Sequence, residues 1–299
     1  LTSSVRNVAL AELSDKAPTN ARLIARNVEA MRKAIEIGSD ISIRSICDIH
    51  DTLMRDTGAE FGLRDEQVWI GGTPYSPHDA QYVPPASNRV RTCLDDLVAF
   101  AQRDDIAPIA KAALFHAQFE TIHPFTDGNG RTGRTLLHCM LASDEVLRHS
   151  TLPISAGLLH DVKPYMEALA AYHDGNLEPI IIRLADALEL ACVIGLRIGD
   201  DVAEVLDRWE EANTDRKGSA SLRLPALLVE QPVVNIAYIV SHLDISDRAA
   251  RNLVETACER RILERTGTER RGVFYQATEL IAILEEASSL EGIRRIAAR

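Results

Sequence analysis

A short stretch of this sequence, residues 123–134, gathers the residue types that phosphate chemistry requires. It reads HPFTDGNGRTGR. Its histidine can take up a proton near neutral pH, its carboxylate is a hard oxygen ligand, and its two arginines suit phosphate oxygens. Backbone amides of its glycine-rich turn can form a nest for an anion. Together these groups predict a site for nucleotidyl or phosphoryl transfer.

The histidine and the charged residues of the stretch each have a predicted task. His123 is the candidate general base, and Asp127 is the candidate ligand of a Mg²⁺ ion shared with phosphates. Arg131 and Arg134 lie three residues apart, so a helix would point both toward the same anion. Phe125 is expected to turn inward and anchor the loop. The predicted nucleotide-binding residues are Gly128, Asn129, Gly130, Arg131, Gly133 and Arg134.

Two apolar segments must position this loop. Helical patterns cover residues 114–122 before it and residues 135–147 after it. Pro124 disfavours helix at the preceding residue, and the glycines cannot sustain one. We therefore expect a helix, a tight loop and a second helix, with positive potential where the second helix begins.

Taken singly, each of these residues also has a structural explanation. A histidine after a helix is more often structural than catalytic, and an aspartate in a glycine-rich turn usually closes that turn. Their coincidence in one short loop favours the functional interpretation. A zinc site built from His116, His123 and His138 is disfavoured, because acidic and cysteine partners are missing at metal-binding spacing.

The stretch resembles the complete signature of the Fic family, H-P-F-x-[DE]-G-N-G-R-x-x-R, with no departure. The similarity extends over roughly residues 20–200 and includes the segments QVWIGG at 67–72 and YVPP at 82–85. It implies an all-α Fic fold with a β-hairpin flap. It also implies transfer of AMP from ATP to a Ser, Thr or Tyr hydroxyl of a target protein, or of the enzyme itself, with Mg²⁺ and with pyrophosphate leaving.

The same resemblance assigns roles within the loop. His123 would deprotonate the target hydroxyl, and Asp127 would bind the Mg²⁺ that bridges the α- and β-phosphates. Asn129 and the amides of Gly128 and Gly130 would hold the phosphates. Arg131 would hold the β-phosphate region and Arg134 the γ-phosphate. The intact glycines favour the AMP-transferring branch over the kinase-like toxin branch.

A hairpin is predicted beside the loop. Residues 68–70 and 82–83 are short β-prone runs that flank a segment rich in glycine and proline. By the resemblance this hairpin is the flap, on which an extended segment of the target would pair its backbone. The predicted docking residues are Val68, Trp69, Ile70, Gly71 and Gly72.

An inhibitory frame of the family, [ST]-x-x-x-E-[GN], is matched by residues 2–7 only with Arg6 at the glutamate position. In the family this glutamate pairs with the second motif arginine. A degenerate copy is the favoured explanation. A true motif ahead of Leu1 stays open, because the sequence does not begin with Met. Under both explanations Arg134 is expected to be unrestrained in cis.

Composition and charge limit the class of protein. The chain has 299 residues, 46% of them hydrophobic and 26% charged, with a net charge of -11. It can build one large or two ordinary domains, and its acidity argues against general coating of nucleic acid. Five scattered cysteines without a C-x-x-C pair favour a reduced, cytoplasmic protein. No apolar run reaches the ~18 residues of a membrane span.

The predicted domains are a Fic domain at 1–200, a helical connector at 201–220 and a small α+β winged helix-turn-helix domain at 221–299. Three helices followed by a hairpin predict the last of these. Arginines that could meet DNA phosphates are Arg248, Arg251, Arg260, Arg261, Arg265, Arg270 and Arg271. Acidic residues are interleaved with them, so a DNA partner and a protein partner, including a homodimer, both stay open.

Two other functions stay open for the whole chain. One is a DNA-binding regulator whose Fic-like loop senses nucleotide without transferring it. The other is a Fic enzyme that removes AMP or transfers another phosphoryl group. Uptake of α-label, release of label, and uptake of γ-label distinguish these reactions.

Overall fold

The computed structural model describes residues 3–14, 17–38, 40–55, 57–73, 75–147, 151–213, 215, 218–266 and 273–297. Thr2 of the inhibitory frame, Pro74 in the predicted hairpin, and Arg270 and Arg271 of the C-terminal segment lie outside these residues. The chain divides into two compact units, Arg26–Ala191 and Leu1–Ala25 with Cys192–Arg299. The predicted boundaries at residues 200 and 220 divide the chain differently and stay predictions.

Most of the described residues are helical. The helices are α1 (Val5–Ala11), α2 (Thr19–Ile37), α3 (Ile43–Met54), α4 (Ser87–Ala101), α5 (Pro108–Ile122), α6 (Asn129–Ser143), α7 (Ile154–Leu159), α8 (Val162–His173), α9 (Glu178–Glu211), α10 (Ala220–Glu230), α11 (Ile236–Leu243), α12 (Asp247–Glu259), α13 (Thr278–Ser288) and α14 (Leu290–Ala297). The strands are β1 (Val233–Val234), β2 (Glu264–Thr266) and β3 (Phe274–Gln276). None of the helices in the described ranges is both long and apolar enough to cross a membrane.

The core of the unit Arg26–Ala191 lies around α3, α5 and α6. Phe115 and Phe119 of α5 and Leu136 and Leu137 of α6 are almost fully buried in it. The N terminus of α3 is closed by a reciprocal capping box between Ser42 and Ser45. Apolar burial therefore holds three helices together at the place where the loop between α5 and α6 emerges.

The predicted hairpin at residues 68–83 does not form regular strands. Its pairing consists of two isolated bridges, Ile70 with Tyr82 and Thr73 with Ser76, and the Ile70 N–H donates to the Tyr82 carbonyl at 2.9 Å. The chain turns immediately after Ile70, because Gly71 and Gly72 adopt φ angles of +77° and +72°. On the other leg, residues 84 and 85 are prolines and lack the N–H that a ladder needs. Two β-prone runs are thus too short to pair further.

The C-terminal part of the second unit combines helices with a small antiparallel sheet of order β1-β3-β2. The helices that the sequence predicts over 222–229, 236–242 and 246–261 are found as α10, α11 and α12. The hairpin strand predicted at 273–276 contains β3, whereas the one predicted at 262–264 lies two residues later, as β2. Strand β1 and helix α14 were not predicted. Strand β1 is too short to show a pattern in the sequence, since it has only two residues, Val233 paired with Gln276 and Val234 with Tyr275.

Helix α1 packs with this C-terminal segment. Ala9 is buried with Val233 and Ile281, and the Gln231 side chain donates to the Ala9 carbonyl at 3.0 Å. The sequence grouped α1 with the Fic-like helices instead. The amphipathic pattern of α1 predicts that one face of this helix is buried, but does not predict which part of the protein covers that face.

Gly157 in α7 offers a test of the helix packing. A Cβ atom at this position would overlap the carbonyl oxygen of Ala187 in α9. Gly157→Ala is expected to lower the free energy of unfolding by about 1–3 kcal/mol through overpacking. Gly199→Ala is the matched control, since a Cβ there meets no atom within 4 Å. That control should raise stability by about 0.5–1 kcal/mol, the helix preference for alanine. Urea unfolding measures both, and a more stable Gly157→Ala variant would contradict the packing.

Candidate active site

The signature stretch forms the predicted helix, tight loop and helix. Helix α5 ends at Ile122, and His123 follows in the left-handed region with φ 48° and ψ 63°. Gly128 precedes α6 with φ +82°. A left-handed conformation is uncommon for a residue with a side chain and costs about 1–2 kcal/mol. The loop therefore places His123 at a strained position that the surrounding contacts must hold.

Asn129 closes the loop from beneath. Its Oδ1 accepts the Phe125 N–H at 2.9 Å, and its Nδ2 donates to the Phe125 carbonyl at 2.8 Å. The side chain is 2% exposed. Both ends of the side-chain amide are thus engaged in closing the loop, and the predicted contact of Asn129 with phosphate stays a prediction. Phe125 turns inward as predicted and is fully buried.

His50 of α3 supports the loop and was not predicted. Its ring stacks on Phe125 with centroids 3.7 Å apart. Its Nε2–H donates to the Asp127 carbonyl at 3.0 Å. Nothing in the sequence pattern distinguished His50 from any other polar residue of a helix, since its partners lie more than seventy positions away.

The ring of His123 is set up to accept a proton. Its Nδ1 lies 3.3 Å from the Glu120 carbonyl, which can only accept a hydrogen bond, so Nδ1 carries the proton. Nε2 then keeps a free lone pair. Burial lowers the pKa of His123, and the positive charge of Arg64 lowers it further, against opposing effects of the Glu120 carbonyl and Asp127. A neutral imidazole at pH 7 suits a general base.

The N terminus of α6 is open to an anion. Gly128 provides no side-chain cap, and helical geometry leaves the N–H groups of Asn129, Gly130 and Arg131 without acceptors inside the helix. The Gly128 N–H is engaged, because it donates to Asp127 Oδ1 at 2.6 Å. The predicted nest is thus formed by three consecutive amides, one residue further along the chain than expected.

The charged side chains of the motif surround this helix end. The Asp127 side chain is 73% exposed, and its Oδ2 lies 3.7 Å from Arg131 Nη2. Arg131 Nη1 is buried without a hydrogen-bond partner among the described residues. The guanidinium of Arg134 lies over Gly130, with Nη1 3.0 Å from the point where a Cβ would be. Both arginines therefore face the region of the open amides.

Gly133, a predicted binding residue, lies buried against α5. A Cβ there would come within 2.6 Å of Glu120 Oε1 and within 3.2 Å of the His116 ring. The missing side chain permits close approach of α5 and α6. Helix packing therefore accounts for a glycine at position 133. Its contact with nucleotide stays a prediction.

Buried His116 and half-buried Glu120 both lie beside Gly133, an arrangement that the sequence did not indicate. Glu120 Oε1 and His116 Nδ1 have no hydrogen-bond partner in the described part of the chain, whereas His116 Nε2 lies 2.8 Å from the Tyr165 hydroxyl. Burial raises the pKa of Glu120 to about 7, although Arg134 opposes the shift. Burial lowers the pKa of His116 to about 3. The spacing of four residues, which puts both side chains on one face of α5, was the available signal.

No protein-only metal cage is found in the described ranges, where three His, Cys, Asp or Glu side chains nowhere group together. His116 is hydrogen-bonded to Tyr165, and His138 Nε2 faces the Leu152 carbonyl at 3.0 Å. Asp127 is a single exposed carboxylate beside an anion nest. Such a donor fits a Mg²⁺ ion that is shared with phosphates, because this ion keeps several waters and needs few protein ligands.

The site and its helices define the class of protein. The sequence model of the Fic/DOC family matches residues 40–141, which run from just before α3 to near the end of α6. This part of the chain therefore matches the Fic/DOC family, and the complete loop signature lies within it.

Curated relatives cover the same region. A probable protein adenylyltransferase of Aquifex aeolicus is 35% identical over 39% of this chain and 35% of its own length. The protein adenylyltransferase Fic of Aedes aegypti is 30% identical over 50% of this chain and 28% of its own. That of Caenorhabditis elegans is 29% identical over 48% and 29%. The chain thus spans about a third of the length of these relatives.

A solved structure resembles most of the chain in fold. It is a Fic family protein from Desulfovibrio desulfuricans G20, with a TM-score of 0.53 and 20% sequence identity. The similarity covers 92% of this chain and 81% of that one.

Glu120 predicts a stability that depends on pH. Its folded pKa of about 7 lies above the ordinary 4.5, so between these values the folded chain keeps a proton that the unfolded chain has lost. Stability should fall as pH rises from 4.5 to 7. His116 acts in the opposite sense, with stability lost as pH falls from 6.5 to 3.

Glu120→Gln should remove the loss of stability that Glu120 causes as pH rises from 4.5 to 7. The free energy of unfolding of the variant minus that of the wild type should increase by up to about 3 kcal/mol between pH 4.5 and pH 8. Denaturant unfolding across this pH range measures the effect. Exposed Glu167→Gln is the control and should leave the pH dependence unchanged. Parallel curves for the wild type and Glu120→Gln would show that the carboxyl titrates normally.

Proposed function

We propose that the protein transfers AMP from ATP to a Ser, Thr or Tyr hydroxyl of a target protein or of itself. The observation that supports this best is the position of His123, whose free Nε2 lies in the loop that leads into the open N terminus of α6. A base and an anion-binding helix end on one loop suit attack of a hydroxyl on a phosphate. The relatives described as protein adenylyltransferases support the same reaction.

The charged residues of the loop would stabilise the nucleotide. The open amides of Asn129, Gly130 and Arg131 would bind phosphate oxygens, and the guanidiniums of Arg131 and Arg134 would offset their charge. Asp127 would hold Mg²⁺, which supplies neutralisation of the phosphate charge when bound. His123 would take the proton of the target hydroxyl on Nε2 while pyrophosphate leaves.

The segment after Arg64 would act as the flap for the target. Val68, Trp69 and Ile70 are half-buried, and Gly71 and Gly72 are exposed. Ile70 already pairs with the opposite leg, so an incoming extended segment would have to use the neighbouring backbone groups. The exposed Tyr75 ring beyond the glycines adds apolar surface for such a partner.

Labelling with radioactive ATP tests the reaction. With Mg²⁺ and α-labelled ATP, the wild type should label itself or a protein in a lysate. His123→Ala should reduce the rate by about 10²–10⁴-fold, the usual contribution of a general base. His242→Ala, an exposed histidine of α11, is the matched control and should keep the rate.

Four other results would contradict the proposed base or the proposed reaction. Label that survives His123→Ala would remove His123 as the base. Label from γ-labelled ATP would indicate phosphoryl transfer, and release of label from a modified protein would indicate removal of AMP. ATP binding without any transfer would favour the nucleotide-sensing regulator.

We infer that residues 221–299 form a winged-helix module. The support is the succession of α10, α11 and α12 with a three-stranded antiparallel sheet whose β2 and β3 are adjacent. Two of the arginines proposed to meet phosphates are paired with acids: Arg251 Nε lies 2.6 Å from Asp247, and Arg260 Nη2 lies 3.2 Å from Asp215. These pairs favour a protein partner over DNA.

A gel shift at two salt concentrations separates the two partners. A module that contacts protein should show no shift of duplex DNA even at ~50 mM salt. A DNA-binding module should bind at low salt and lose affinity steeply by ~200 mM, because phosphate contacts release counterions. Sequence-specific binding that survives the higher salt would contradict the preference for a protein partner.

A further inference from the structure

Arg64 is a buried arginine whose side chain bonds only to backbone carbonyls. The residue is 4% exposed, although it lies in a segment without regular secondary structure. Its guanidinium donates hydrogen bonds to four carbonyl oxygens, and its own N–H donates to the Pro124 carbonyl at 2.9 Å. A buried arginine that has carbonyl acceptors throughout is held in one orientation.

Two of the four acceptors belong to the two legs of the flap segment. Arg64 Nη1 donates to the Glu66 carbonyl at 2.9 Å, and Nη2 donates to the Pro85 carbonyl at 2.6 Å. Residues 66 and 85 bracket the segment that turns at Gly71 and Gly72. Arg64 therefore joins the start and the end of the flap at its base.

The other two acceptors belong to the end of α5. Arg64 Nε donates to the His123 carbonyl at 2.8 Å, and Nη2 donates to the Ile122 carbonyl at 3.3 Å. The last carbonyls of a helix lack partners within the helix and carry partial negative charge, so a guanidinium is a favourable neighbour. It also helps to hold His123 in its left-handed conformation.

A second hydrogen bond also joins the flap segment to the end of α5. The Tyr82 hydroxyl, on the returning leg of the flap, donates to the Thr121 carbonyl at 3.0 Å, and its ring stacks on His173. Gln67 makes a different kind of contact: its Nε2 donates to the Pro84 carbonyl at 2.9 Å and so joins only the two legs. Arg64 differs from both in reaching both legs and His123 with one planar group.

We propose that Arg64 is a positioning residue that couples the flap to His123, so that a target segment docked on the flap orients the base. The proposal rests on the proposed function. A fork of five N–H donors can serve four acceptors in two directions, whereas a lysine ammonium has three donors on one atom. Arg64→Lys keeps the charge and removes the geometry.

The experiment compares Arg64→Lys with Arg183→Lys. Arg183 is the matched control, because its Nη2 also donates to three backbone carbonyls, those of Gly157, Leu158 and Asp161. These residues belong to α7 and the turn after it, away from the flap and the loop. Both variants are assayed well below their melting temperatures for ATP affinity, the single-turnover rate of self-labelling and amide hydrogen exchange.

Arg64→Lys should leave the Kd for ATP within about 2-fold, since Arg64 does not contact the N terminus of α6. It should slow labelling by about 10–100-fold, the scale of a displaced catalytic group. Amide exchange should become faster in the flap segment 66–72 and the loop segment 121–125 together. Arg183→Lys should change labelling less than about 2-fold and exchange only near α7.

Unchanged labelling in Arg64→Lys, an equal loss in Arg183→Lys, or faster exchange in only one of the two segments would overturn the coupling. Failure of the proposed reaction is a separate outcome. In that case the wild type does not label, and joint acceleration of the flap and the loop in Arg64→Lys still supports the coupling.

Discussion

The paired hydrogen bonds between Asn129 and Phe125 are the constraint on which the site depends. A side-chain amide that serves both backbone groups of one residue closes a tight loop, and each buried bond contributes about 1 kcal/mol while avoiding a larger loss from unpaired groups. This closure fixes where α6 begins. It thereby sets the direction of the open amides and the position of Asp127. Without it, the left-handed His123 would lack the loop that keeps it beside the helix end.

The two sides of the loop differ in charge. The N terminus of α6 and two arginines make one side positive, and an anion is the natural partner of that side. Beneath it, His116 is buried and Glu120 is half-buried with one carboxyl oxygen out of contact with solvent, and loss of solvation favours the neutral form of both groups. Close approach of α5 to Gly133 causes this burial. The contact between α5 and Gly133 therefore affects both the packing of the helices and the charge states of Glu120 and His116.

Much of the fold and of the site was predictable from the sequence. The helices around the loop follow from apolar spacing, and the turn follows from Pro124 and the glycines, because these are local effects. The hairpin at residues 68–83 was only partly predictable, since its β-prone runs end at residues whose conformation or missing N–H stops the pairing. Strand β1 escaped prediction because two residues carry no pattern. His50, Arg64 and Glu120 escaped because their roles depend on partners remote along the chain or on burial.

The sequence by itself determined the chemical inventory and its order: a base, a carboxylate, an anion nest and two arginines within one loop between two helices. Only the tertiary structure decided how these groups are used. It assigned the Asn129 amide to closing the loop, the Gly128 N–H to Asp127, and Gly133 to helix contact. It also placed Arg64 between His123 and the two ends of the segment 66–85. The physical reason is that composition and spacing specify which groups are available, whereas burial and hydrogen-bond geometry depend on segments that meet only after folding.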